Sequence, residues 1–508
     1  MQKLYKQCLS DSNIRKAIKM QLSVSGSKTP GPDGICKGNV PEESKIITEV
    51  KKRLRGYKRV CSRKVNISKK NGTRTLTILN LYDRIAQQCV YQILDPRVDD
   101  KFSKHSYGFR PGQSTKTCCS RLANVISSST VDYYTVEVDF NKCFDNIPLD
   151  KSLDLLRELG IKDTQFIKCI KRLMWVDKDY DGIGLGQGTI LGPLLANVYL
   201  NKLDEYMESN YFLNGEHKAR KRDYIRNSWR WFNWLEEQGK KISCKYYRYA
   251  DDFIIICYSR EEQELIYKNL VNFINSNFTI TINESKTKLC CNEPISFLGY
   301  KIRKSKSVII SPDEPEEIIQ ELKKFKLNNL REGREFLAWA RGVINYYDIC
   351  SNMSYIIDKM NLRLYKRSNK RHAHLKKLAN TDKYYLNGSK RDRLEIDLWG
   401  LRKSSKKSIK DYCMNSWWLI EREKISITVE NGYNIYTWNL YTRQKGLDVI
   451  TGERLDIYNM VIHHVKSIEN GGTNSLDNLI LVNRETHKLI HNNKECNYKK
   501  IKRYRKLL

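Results

Sequence analysis

Acidic residues end two strand-like segments that lie more than a hundred residues apart. Asp139 closes the segment 136–140, and Asp251 with Asp252 forms the tip of a tight hairpin between the runs 246–248 and 253–257. Ionised carboxylates that lie side by side repel each other unless cations or metal ions neutralise them. Such carboxylates hold two Mg²⁺ ions about 3.5–4 Å apart in enzymes that perform in-line nucleotidyl transfer. The pattern of these three residues indicates in-line nucleotidyl transfer, although an isolated Asp-Asp pair is usually a surface turn.

Four of the eight histidines are clustered near the C-terminus. His487 and His491 are four residues apart, one helical turn, so both can bind the same metal ion. A third imidazole can come from the preceding strand-like segment 461–465, which contains His463 and His464. Three ligands leave a coordination position open for a phosphate oxygen, which is typical of a catalytic rather than a structural metal site.

The composition indicates a basic protein built from several domains. The 508 residues include 91 Lys and Arg against 58 Asp and Glu, a formal net charge of +33. Such an excess repels itself unless it meets a polyanion, and 31 Tyr and 9 Trp offer surfaces on which unpaired bases stack. Nucleic acid is therefore the expected partner; the alternative is a solvated basic surface.

The sequence predicts a soluble protein of a reducing compartment. No apolar stretch approaches the roughly 18–20 residues of a membrane span, and the N-terminus lacks the apolar core of a signal peptide. Fifteen cysteines at irregular spacing suit free thiols. We expect no membrane partner and no secretion, and a location in the cytoplasm or nucleoid of a bacterium or in an organellar matrix.

Pattern changes along the chain predict four parts. Residues 1–305 mix helical patterns with short β-branched runs, which indicates an α+β body whose sheet is covered on one face by helices. A helix is expected to begin near Ser311 and Pro312 and to open a helical, basic domain over 306–400. A basic linker over 401–437, which we also expect to bind DNA, and a distinct segment with a basic tail over 438–508 follow.

Motifs through the first 305 residues resemble, in order, those of reverse transcriptases, and among these the group II intron-encoded proteins. The motifs are Gly-Pro-Asp-Gly-Ile at 31–35, the hairpin 67–74, Asp-Arg-Ile-Ala-Gln at 83–87, Ser-Tyr-Gly-Phe-Arg-Pro-Gly at 106–112, the first carboxylate motif 138–147, Gly-Gln-Gly at 186–188, Pro-Leu-Leu-Ala-Asn at 193–197, Tyr-Ala-Asp-Asp at 249–252 and Phe-Leu-Gly-Tyr at 297–300. The resemblance implies a right-hand polymerase with fingers and palm.

The resemblance also implies roles for single residues. Asp139 and Asp251 would bind the two Mg²⁺ ions with help from Asp252. The set that would contact the incoming nucleotide is Lys69 and Arg74 at its triphosphate, Phe144 as a gate against a ribose 2′-hydroxyl, and Gln187 on the template side. Gly186 stands where the family usually has proline, and we expect this change to loosen the turn.

The helical domain contains Arg-Gly-Val-Ile-Asn-Tyr-Tyr at 341–347, which resembles the thumb, or maturase, domain of these intron proteins. We expect Gly342 and Tyr346 to pack in a core. A basic run without acidic residues is the predicted RNA-binding surface. Its members are Arg363, Lys366, Arg367, Lys370, Arg371, Lys376 and Lys377.

The histidine cluster with its Gly-Gly turn resembles the HNH, or ββα-metal, nucleases at the C-terminus of mobile intron proteins. By this resemblance His463, His487 and His491 hold one divalent ion (Mg²⁺, Mn²⁺ or Zn²⁺), His464 activates water, and Asn478 fixes the loop that aims His464. Residues 449–453 take the place of a zinc-binding cysteine pair, so no structural zinc is expected. The predicted brace is a core of Trp438, Leu440 and Tyr458.

The resemblance implies a multifunctional enzyme that assists splicing of its intron RNA, nicks target DNA and copies the RNA from the nicked end. Its partners would be intron RNA, target DNA and dNTPs, and a homodimer is left open. One alternative is a splicing-only, RNA-binding maturase whose catalysis has decayed; the intact acidic and histidine sets argue against it. Another is an immune or retron-type polymerase, which needs neither the maturase motif nor a nuclease.

Overall fold

The structure of the protein is a computed structural model. It describes residues 4–58, 60–69, 72–128, 132–176, 180–211, 244–304, 308–369, 374–387 and 393–405, and near the C-terminus 440–441, 444, 447–451, 455, 460–465, 469, 478–484, 486–487 and 490. Side chains within these ranges are described except at 25, 68, 69, 72, 128, 308, 387, 393 and 403–405.

The α-helices are α1 (Leu4–Cys8), α2 (Asp11–Ser23), α3 (Glu43–Arg55), α4 (Leu81–Val98), α5 (Thr115–Ser128), α6 (Cys143–Asn146), α7 (Leu149–Glu158), α8 (Thr164–Met174), α9 (Gly192–Tyr211), α10 (Arg260–Asn277), α11 (Pro315–Lys324), α12 (Leu330–Tyr346), α13 (Met353–Ser368) and α14 (Leu398–Ser405). The strands are β1 (Ser62–Lys69), β2 (Gly72–Leu79), β3 (Tyr134–Val138), β4 (Lys245–Tyr249), β5 (Asp252–Cys257), β6 (Lys288–Cys291), β7 (Ile295–Phe297), β8 (Tyr300–Lys304), β9 (Val308–Pro312), β10 (Leu375–Lys377), β11 (Tyr384–Asn387), β12 (Arg393–Ile396), β13 (Met460–His464) and β14 (Leu479–Asn483).

One compact unit comprises residues 1–109 and 129–293. Its centre is an antiparallel sheet with the strand order β4-β5-β3-β6. Each side chain of 253–257 in β5 is at most 1% exposed, so the strand is covered on both faces, which explains its continuous apolar run. Helix α10 packs on β3 and β5, where the Gln263 amide donates a hydrogen bond to the carbonyl of Thr135 (2.7 Å).

The first unit also contains the hairpin of β1 and β2. The two strands pair along their full length, from Ser62 opposite Leu79 to Lys69 opposite Gly72. Leu79 is buried at the base of the hairpin, whereas the residues 73–75 nearer its tip are exposed. The hairpin therefore projects from the core and is anchored at one end.

The second unit comprises residues 110–128 and 294–508. Helix α5 packs on β8 and β9 of the sheet β7-β8-β9, and the Cys119 thiol donates a hydrogen bond to the carbonyl of Phe297 (3.6 Å). These contacts explain why an early segment of the chain joins this unit. The unit takes up the chain again at Pro294, before the boundary predicted at 305.

Two local predictions for the second unit were wrong. The helix expected to begin near Ser311 and Pro312 begins at Pro315, because Ser311 and Pro312 continue β9 and pair with β8. By local rules Pro312 and Pro315 each suit the first turn of a helix. The pairing of Pro312 with β8 leaves Pro315 as the first residue of the helix. The region expected to be helical throughout also contains the antiparallel sheet β10-β11-β12.

Every described helix is too short or too polar to cross a bilayer. The described cysteines are free thiols, and most of them are buried.

Candidate functional site

The pairing of β3 with β5 brings the two acidic segments together. Val138 lies opposite Phe253 at the last pair of the ladder, so the next position of each strand places Asp139 beside Asp252. Directly opposed Cα atoms of antiparallel strands are about 4.5–5.5 Å apart. Asp251 occupies the two-residue turn that joins β4 to β5, because Tyr249 pairs with Asp252. Segments separated by more than a hundred residues thus meet at one end of the sheet.

The carboxylate of Asp139 is half-buried and lies among donors. The Asn283 amide donates a hydrogen bond to Asp139 Oδ2 (3.2 Å), and the Asn283 backbone N–H donates to the Asp139 carbonyl (2.8 Å). The ammonium of Lys286 lies 3.4 Å from Asp139 Oδ2 and its side chain is 64% exposed. The Asp139 carboxylate therefore lies between an amide and an exposed ammonium, and this arrangement is compatible with a metal ion taking the place of the ammonium.

The buried thiol of Cys143 reports the negative field of the site. Burial raises the pKa of this thiol, and the nearby carboxylate of Asp251 raises it further, with smaller contributions from Asp145 and Asp252. Cys143 follows Asp139 closely in sequence and is 2% exposed. The field of the turn therefore reaches the base of the Asp139 segment.

The acidic residues fit magnesium by their chemistry. Mg²⁺ prefers oxygen ligands and is held in nucleotide enzymes by one or two carboxylates together with substrate phosphates. Asp139, Asp251 and Asp252 supply such oxygens at one end of the sheet. Within the described residues, no three His, Cys, Asp or Glu side chains are close enough to form a metal site by themselves.

The turn that carries Asp251 packs closely on the segment 105–108. The Tyr107 N–H donates to the carbonyl of Arg248 (2.8 Å), and the Arg248 N–H donates to the carbonyl of His105 (2.9 Å). Gly108 has no room for a side chain, since an added Cβ would lie 2.3 Å from the Ala250 nitrogen. This contact explains the glycine in the motif 106–112.

We expect Gly108→Ala to lower the free energy of unfolding by about 1–3 kcal/mol, because backbone on both sides must move apart. Urea unfolding measures the change. Gly26→Ala is the matched control, since an added Cβ there meets nothing within 4 Å. Equal stability of the two variants would contradict the close approach of Gly108 to the turn.

Three of the four predicted nucleotide-binding residues are linked through one loop. The guanidinium of Arg74 donates to the side-chain oxygen of Gln187, whose carbonyl accepts a hydrogen bond from Thr77 N–H (2.7 Å). The Leu185 N–H in the same loop donates to the Phe144 carbonyl (2.9 Å). The structure thus brings Arg74, Gln187 and Phe144 to one region. The side chain of Lys69 lies outside the described residues, although its backbone ends β1.

Gly186 adopts a conformation that proline cannot take. Its φ is +60°, in the left-handed region, whereas a proline ring fixes φ near −65°. The loop is held by the Thr189 hydroxyl, which donates to the carbonyls of Leu185 (2.8 Å) and Gly186 (2.9 Å). The glycine therefore permits a turn that proline could not adopt, and the Thr189 hydroxyl hydrogen-bonds within this turn.

The ring of Phe144 meets Phe109 edge to face, with ring centroids 6.2 Å apart. Phe144 is partly buried against the core of the first unit, and Phe109 is 48% exposed. The contact holds one edge of Phe144 and leaves the ring partly accessible from solvent. This placement is compatible with a steric gate beside the carboxylates.

Three of the four C-terminal histidines, His463, His464 and His487, lie on or beside the paired strands β13 and β14. His463 and His464 are opposite Ile480 and Leu479, and the rings of His463 and His487 are 5.2 Å apart by their centroids. His463 is buried, whereas His464 and His487 are partly exposed. The structure brings these two predicted metal ligands together, and His491 lies outside the described residues.

Asn478 lies at the entrance to β14 and is 6% exposed. Its carbonyl accepts a hydrogen bond from Val465 N–H (2.8 Å), directly after His464. The residue therefore joins the two ends of the segment that separates the strands, at the level of the candidate base. This geometry supports a loop-fixing role through the backbone of Asn478.

The HNH segment is braced by apolar packing and by two polar side chains. Leu440 is buried with Tyr441, Leu455 and Met460, as predicted, whereas Trp438 and Tyr458 lie outside the described residues. The Gln444 amide donates to the Leu481 carbonyl (2.8 Å) and accepts from the Leu481 N–H (2.7 Å).

Asp448 provides the second polar brace. It directly precedes residues 449–453, which take the place of a zinc-binding cysteine pair. It is completely buried, and its carboxylate accepts from the N–H groups of Ile450 (2.9 Å), Thr451 (3.2 Å) and Asn483 (2.8 Å). One carboxylate thus closes the turn and ties it to β14, a task for which bound zinc is used in other proteins.

We expect Asp448→Ala to destabilise this segment by about 1–3 kcal/mol, since three partly buried N–H groups lose their acceptor. Hydrogen exchange of the Asn483 amide measures the effect and should become faster. Asp448→Asn keeps one acceptor oxygen and should show a smaller change. Equal exchange rates in all three proteins would refute the bracing role.

Helix α13 presents an exposed aromatic face next to the predicted RNA-binding run. Tyr355, Leu362 and Tyr365 are 49%, 45% and 45% exposed. The ammonium of Lys359 lies 5.1 Å from the ring centroid of Tyr355, and that of Lys377 lies 5.3 Å from that of Tyr365. Aromatic rings flanked by ammonium groups suit stacking with bases and neutralisation of phosphates.

The predicted RNA-binding residues fall into three groups. Lys366, Lys376 and Lys377 are exposed. The guanidinium of Arg363 donates to the carbonyl of Lys323 (3.1 Å), and that of Arg367 donates to the side chain of Asn328. Lys370 and Arg371 lie outside the described residues, as does the linker from 406 onward.

The expectation that Gly342 and Tyr346 pack in a core was wrong. An added Cβ at Gly342 meets nothing within 4 Å, and Tyr346 is 38% exposed. Tyr346 instead stacks on Tyr300 with centroids 5.3 Å apart, and its hydroxyl donates to the Leu298 carbonyl (2.9 Å). Helical spacing places these residues on one face, but that face meets the turn 298–299 rather than a buried layer.

Sequence reasoning missed four residues around the carboxylates: Asn283, Lys286, Asp204 and Arg248. Asn283 and Lys286 contact Asp139, and Asp204 and Arg248 form an ion pair in which both side chains are completely buried. The sequence contains a signal only for the ion pair of Asp204 and Arg248. Arg248 interrupts a strand-like run just before the Asp-Asp turn, and Asp204 interrupts an apolar helical pattern.

Two parts of the chain match known protein families. Residues 64–302 match the reverse transcriptase (RNA-dependent DNA polymerase) family, and residues 451–493 match the HNH endonuclease family. These matches confirm the expected α+β fold class, with a right-hand polymerase in the first part of the chain and a small HNH domain near residue 450 and beyond.

Relatives were found among intron-encoded proteins. The chain is 31% identical over 275 residues to the putative COX1/OXI3 intron 1 protein of Saccharomyces cerevisiae, covering 47% of this chain and 32% of that protein. It is 30% identical over 349 residues to the group II intron-encoded protein LtrA of Lactococcus lactis subsp. cremoris, covering 60% of this chain and 57% of LtrA. Protein YkfC of Escherichia coli is 28% identical over 318 residues, covering 58% of this chain and 81% of YkfC.

The chain thus spans about a third of the yeast protein and just over half of LtrA. The comparisons thus show a reverse transcriptase domain over residues 64–302 and an HNH endonuclease domain over residues 451–493, in a chain that is similar to group II intron-encoded proteins.

Proposed function

We propose that the protein copies intron RNA into DNA, promotes splicing of that RNA, and nicks one strand of target DNA to supply the primer. The observation that carries the polymerase activity is the meeting of Asp139 with the Asp251–Asp252 turn at one end of the sheet. The HNH match supports the nicking activity, and the relatives support the link to an intron. Target-primed reverse transcription is the reaction that combines them.

In the polymerase, Asp139 and Asp251 would hold two Mg²⁺ ions with assistance from Asp252. The bound ions supply Lewis acidity to the attacking 3′-hydroxyl and to the leaving pyrophosphate. Arg74 offers a planar fork for the triphosphate, and Gln187, which it contacts, faces the template side. Lys69 is proposed as a second positive charge at the triphosphate. Phe144 would exclude a ribose 2′-hydroxyl by its ring edge.

In the nuclease, His463, His487 and His491 would hold one divalent ion, which is Mg²⁺, Mn²⁺ or Zn²⁺. Imidazole nitrogens suit such a site and leave a position for a scissile phosphate. His464, on the strand beside His463, is the proposed general base that takes the proton from water. Asn478 positions it through the hydrogen bond of its carbonyl to Val465.

The proposed RNA surface is formed by the basic run of the thumb and the aromatic face of α13. Phosphate neutralisation by Lys366, Lys376 and Lys377 would supply affinity, and stacking on Tyr355 and Tyr365 would hold unpaired bases. Target DNA and dNTPs are the remaining partners. The relatives include a bacterial protein and a maturase named as mitochondrial, which supports a bacterial cytoplasm or nucleoid or an organellar matrix as the compartment.

The test uses the purified full chain with an RNA template, an annealed DNA primer, dNTPs and Mg²⁺. We expect primer extension that stops when EDTA is added, and we expect the same protein to accelerate splicing of the intron that flanks its reading frame. Splicing without any extension would favour the RNA-binding maturase with decayed catalysis. Extension without splicing would favour a polymerase of the immune or retron type.

A further inference from the structure

A completely buried ion pair lies behind the turn that carries the catalytic carboxylates. Arg248 in β4 and Asp204 in α9 are both 0% exposed. Arg248 Nε lies 2.7 Å from Asp204 Oδ1, and Arg248 Nη2 lies 2.6 Å from Asp204 Oδ2. This two-point contact fixes the plane of the guanidinium relative to helix α9.

Every N–H of this guanidinium has an acceptor. Besides the two bonds to Asp204, Nη1 donates to the Asn197 side chain (3.1 Å) and to the Ala250 carbonyl (2.8 Å), and Nη2 donates to the Ser106 hydroxyl (2.8 Å). A guanidinium has five N–H donors, so none remains for another partner. The group therefore has one orientation within this network.

The bond to Ala250 is the one that reaches the metal-binding turn. Ala250 has φ +58°, a left-handed conformation that costs a non-glycine residue about 1 kcal/mol or more and persists only when its surroundings hold it. Its carbonyl belongs to the peptide that leads into Asp251. Fixing this carbonyl therefore fixes the start of the Asp251 backbone and the direction of its side chain.

Stability alone is a poor explanation for the pair. Two buried charges lose their hydration, and well-packed apolar residues of similar volume are often as stabilising or more so. An apolar pair, however, has no donor for the Ala250 carbonyl. The network also joins three separate segments, since Ser106 and two residues of α9, Asn197 and Asp204, meet the guanidinium that belongs to β4.

We propose that Asp204 and Arg248 are positioning residues of the polymerase site, which set the direction of the Asp251 carboxylate for metal binding through the Ala250 carbonyl. This inference rests on the proposed polymerase function. In this proposal Asp204 does not contact substrate and acts through Arg248; its Oδ1 also accepts a hydrogen bond from the Tyr246 hydroxyl (2.9 Å). We expect substitution of either residue to weaken the binding of Mg²⁺ and to leave the binding of template and nucleotide unchanged.

The test measures single-nucleotide incorporation as a function of Mg²⁺ concentration for the wild type, Asp204→Asn and Arg248→Lys. A displacement of about 1 Å at a catalytic group lowers kcat by the order of 100-fold. We expect a loss of that size at standard Mg²⁺, a higher Mg²⁺ concentration for half-maximal rate, partial recovery at high Mg²⁺, and little change in KM for the dNTP. Arg248→Lys keeps the charge but loses the fork, so its Mg²⁺ requirement should also rise.

The matched control is the other buried Arg–Asp pair of the same unit, Arg53 with Asp83. Arg53 Nε lies 2.5 Å from Asp83 Oδ1 and the side chains are 6% and 0% exposed, but the pair supports helix packing of α3 on α4. Asp83→Asn should lower the unfolding temperature as Asp204→Asn does, while its Mg²⁺ requirement stays at the wild-type value.

Two results would overturn the positioning role. One is a wild-type Mg²⁺ requirement in both Asp204→Asn and Arg248→Lys; the other is an equal rise in Asp83→Asn. If Asp204→Asn does not fold, Ser106→Ala, which removes a single contact to the guanidinium, replaces it and should raise the Mg²⁺ requirement by a smaller factor. A wild-type protein that incorporates no nucleotide at any Mg²⁺ concentration refutes the proposed polymerase function itself.

Discussion

Asp251→Asn is expected to abolish primer extension, with a loss of at least about 1,000-fold in rate, because a metal ion supplies several kcal/mol of transition-state stabilisation and each 1.36 kcal/mol is tenfold. Asparagine keeps the size of the side chain and a single carbonyl oxygen but removes the charge that attracts Mg²⁺. The measurement is single-turnover incorporation on an RNA template at saturating dNTP.

Asp154→Asn is the control for the loss of a carboxylate as such. Asp154 lies on the surface of α7, its side chain is 59% exposed, and it pairs only with Arg157 one turn away. Its variant should extend primers at the wild-type rate. An Asp251→Asn protein that retains more than a tenth of the wild-type rate would remove Asp251 from the metal site.

His464→Ala is expected to abolish DNA nicking and to leave primer extension intact. A general base contributes about 10²–10⁴-fold to rate, and alanine offers no group that accepts a proton from water. His464 belongs to β13 and the polymerase carboxylates to a different compact unit, so the two activities should separate. Nicking of a supercoiled plasmid that carries the target site measures the first activity.

His374→Ala serves as the control, because His374 is exposed and belongs to the same unit but to the thumb region. It should nick DNA as the wild type does. Loss of nicking and of primer extension together in His464→Ala would show that the two activities depend on one structural element, against the separation proposed here.

The parts of the fold that follow from local patterns were predictable. The acidic hairpin tip required only two apolar runs and a tight turn, and β4 and β5 lie where those runs are. Asp139 at the end of β3 was predictable for the same reason. That the two segments are neighbours in one sheet came from the resemblance, since spacing within a sequence does not determine which strands pair.

The wrong predictions concern positions at which contacts between distant parts of the sequence determine the structure. Ser311 and Pro312 suit a helix start locally, yet pairing with β8 extends β9 through both. Gly342 lies at core-like spacing in α12, but the face it belongs to is open at that point. The contacts of Asp204 with Arg248, and of Asn283 with Asp139, join segments that only the folded chain brings together.

The central claim is that Asp139 and Asp251 share one pair of divalent ions. Fe²⁺ in place of Mg²⁺, with template, primer and dNTP bound, generates hydroxyl radicals at the site when ascorbate and peroxide are added, and mass spectrometry locates the backbone cuts. We predict cuts beside both Asp139 and the 251–252 turn, and loss of both sets in Asp139→Asn. Cuts at only one segment, or cuts that survive that substitution, would contradict a shared metal site.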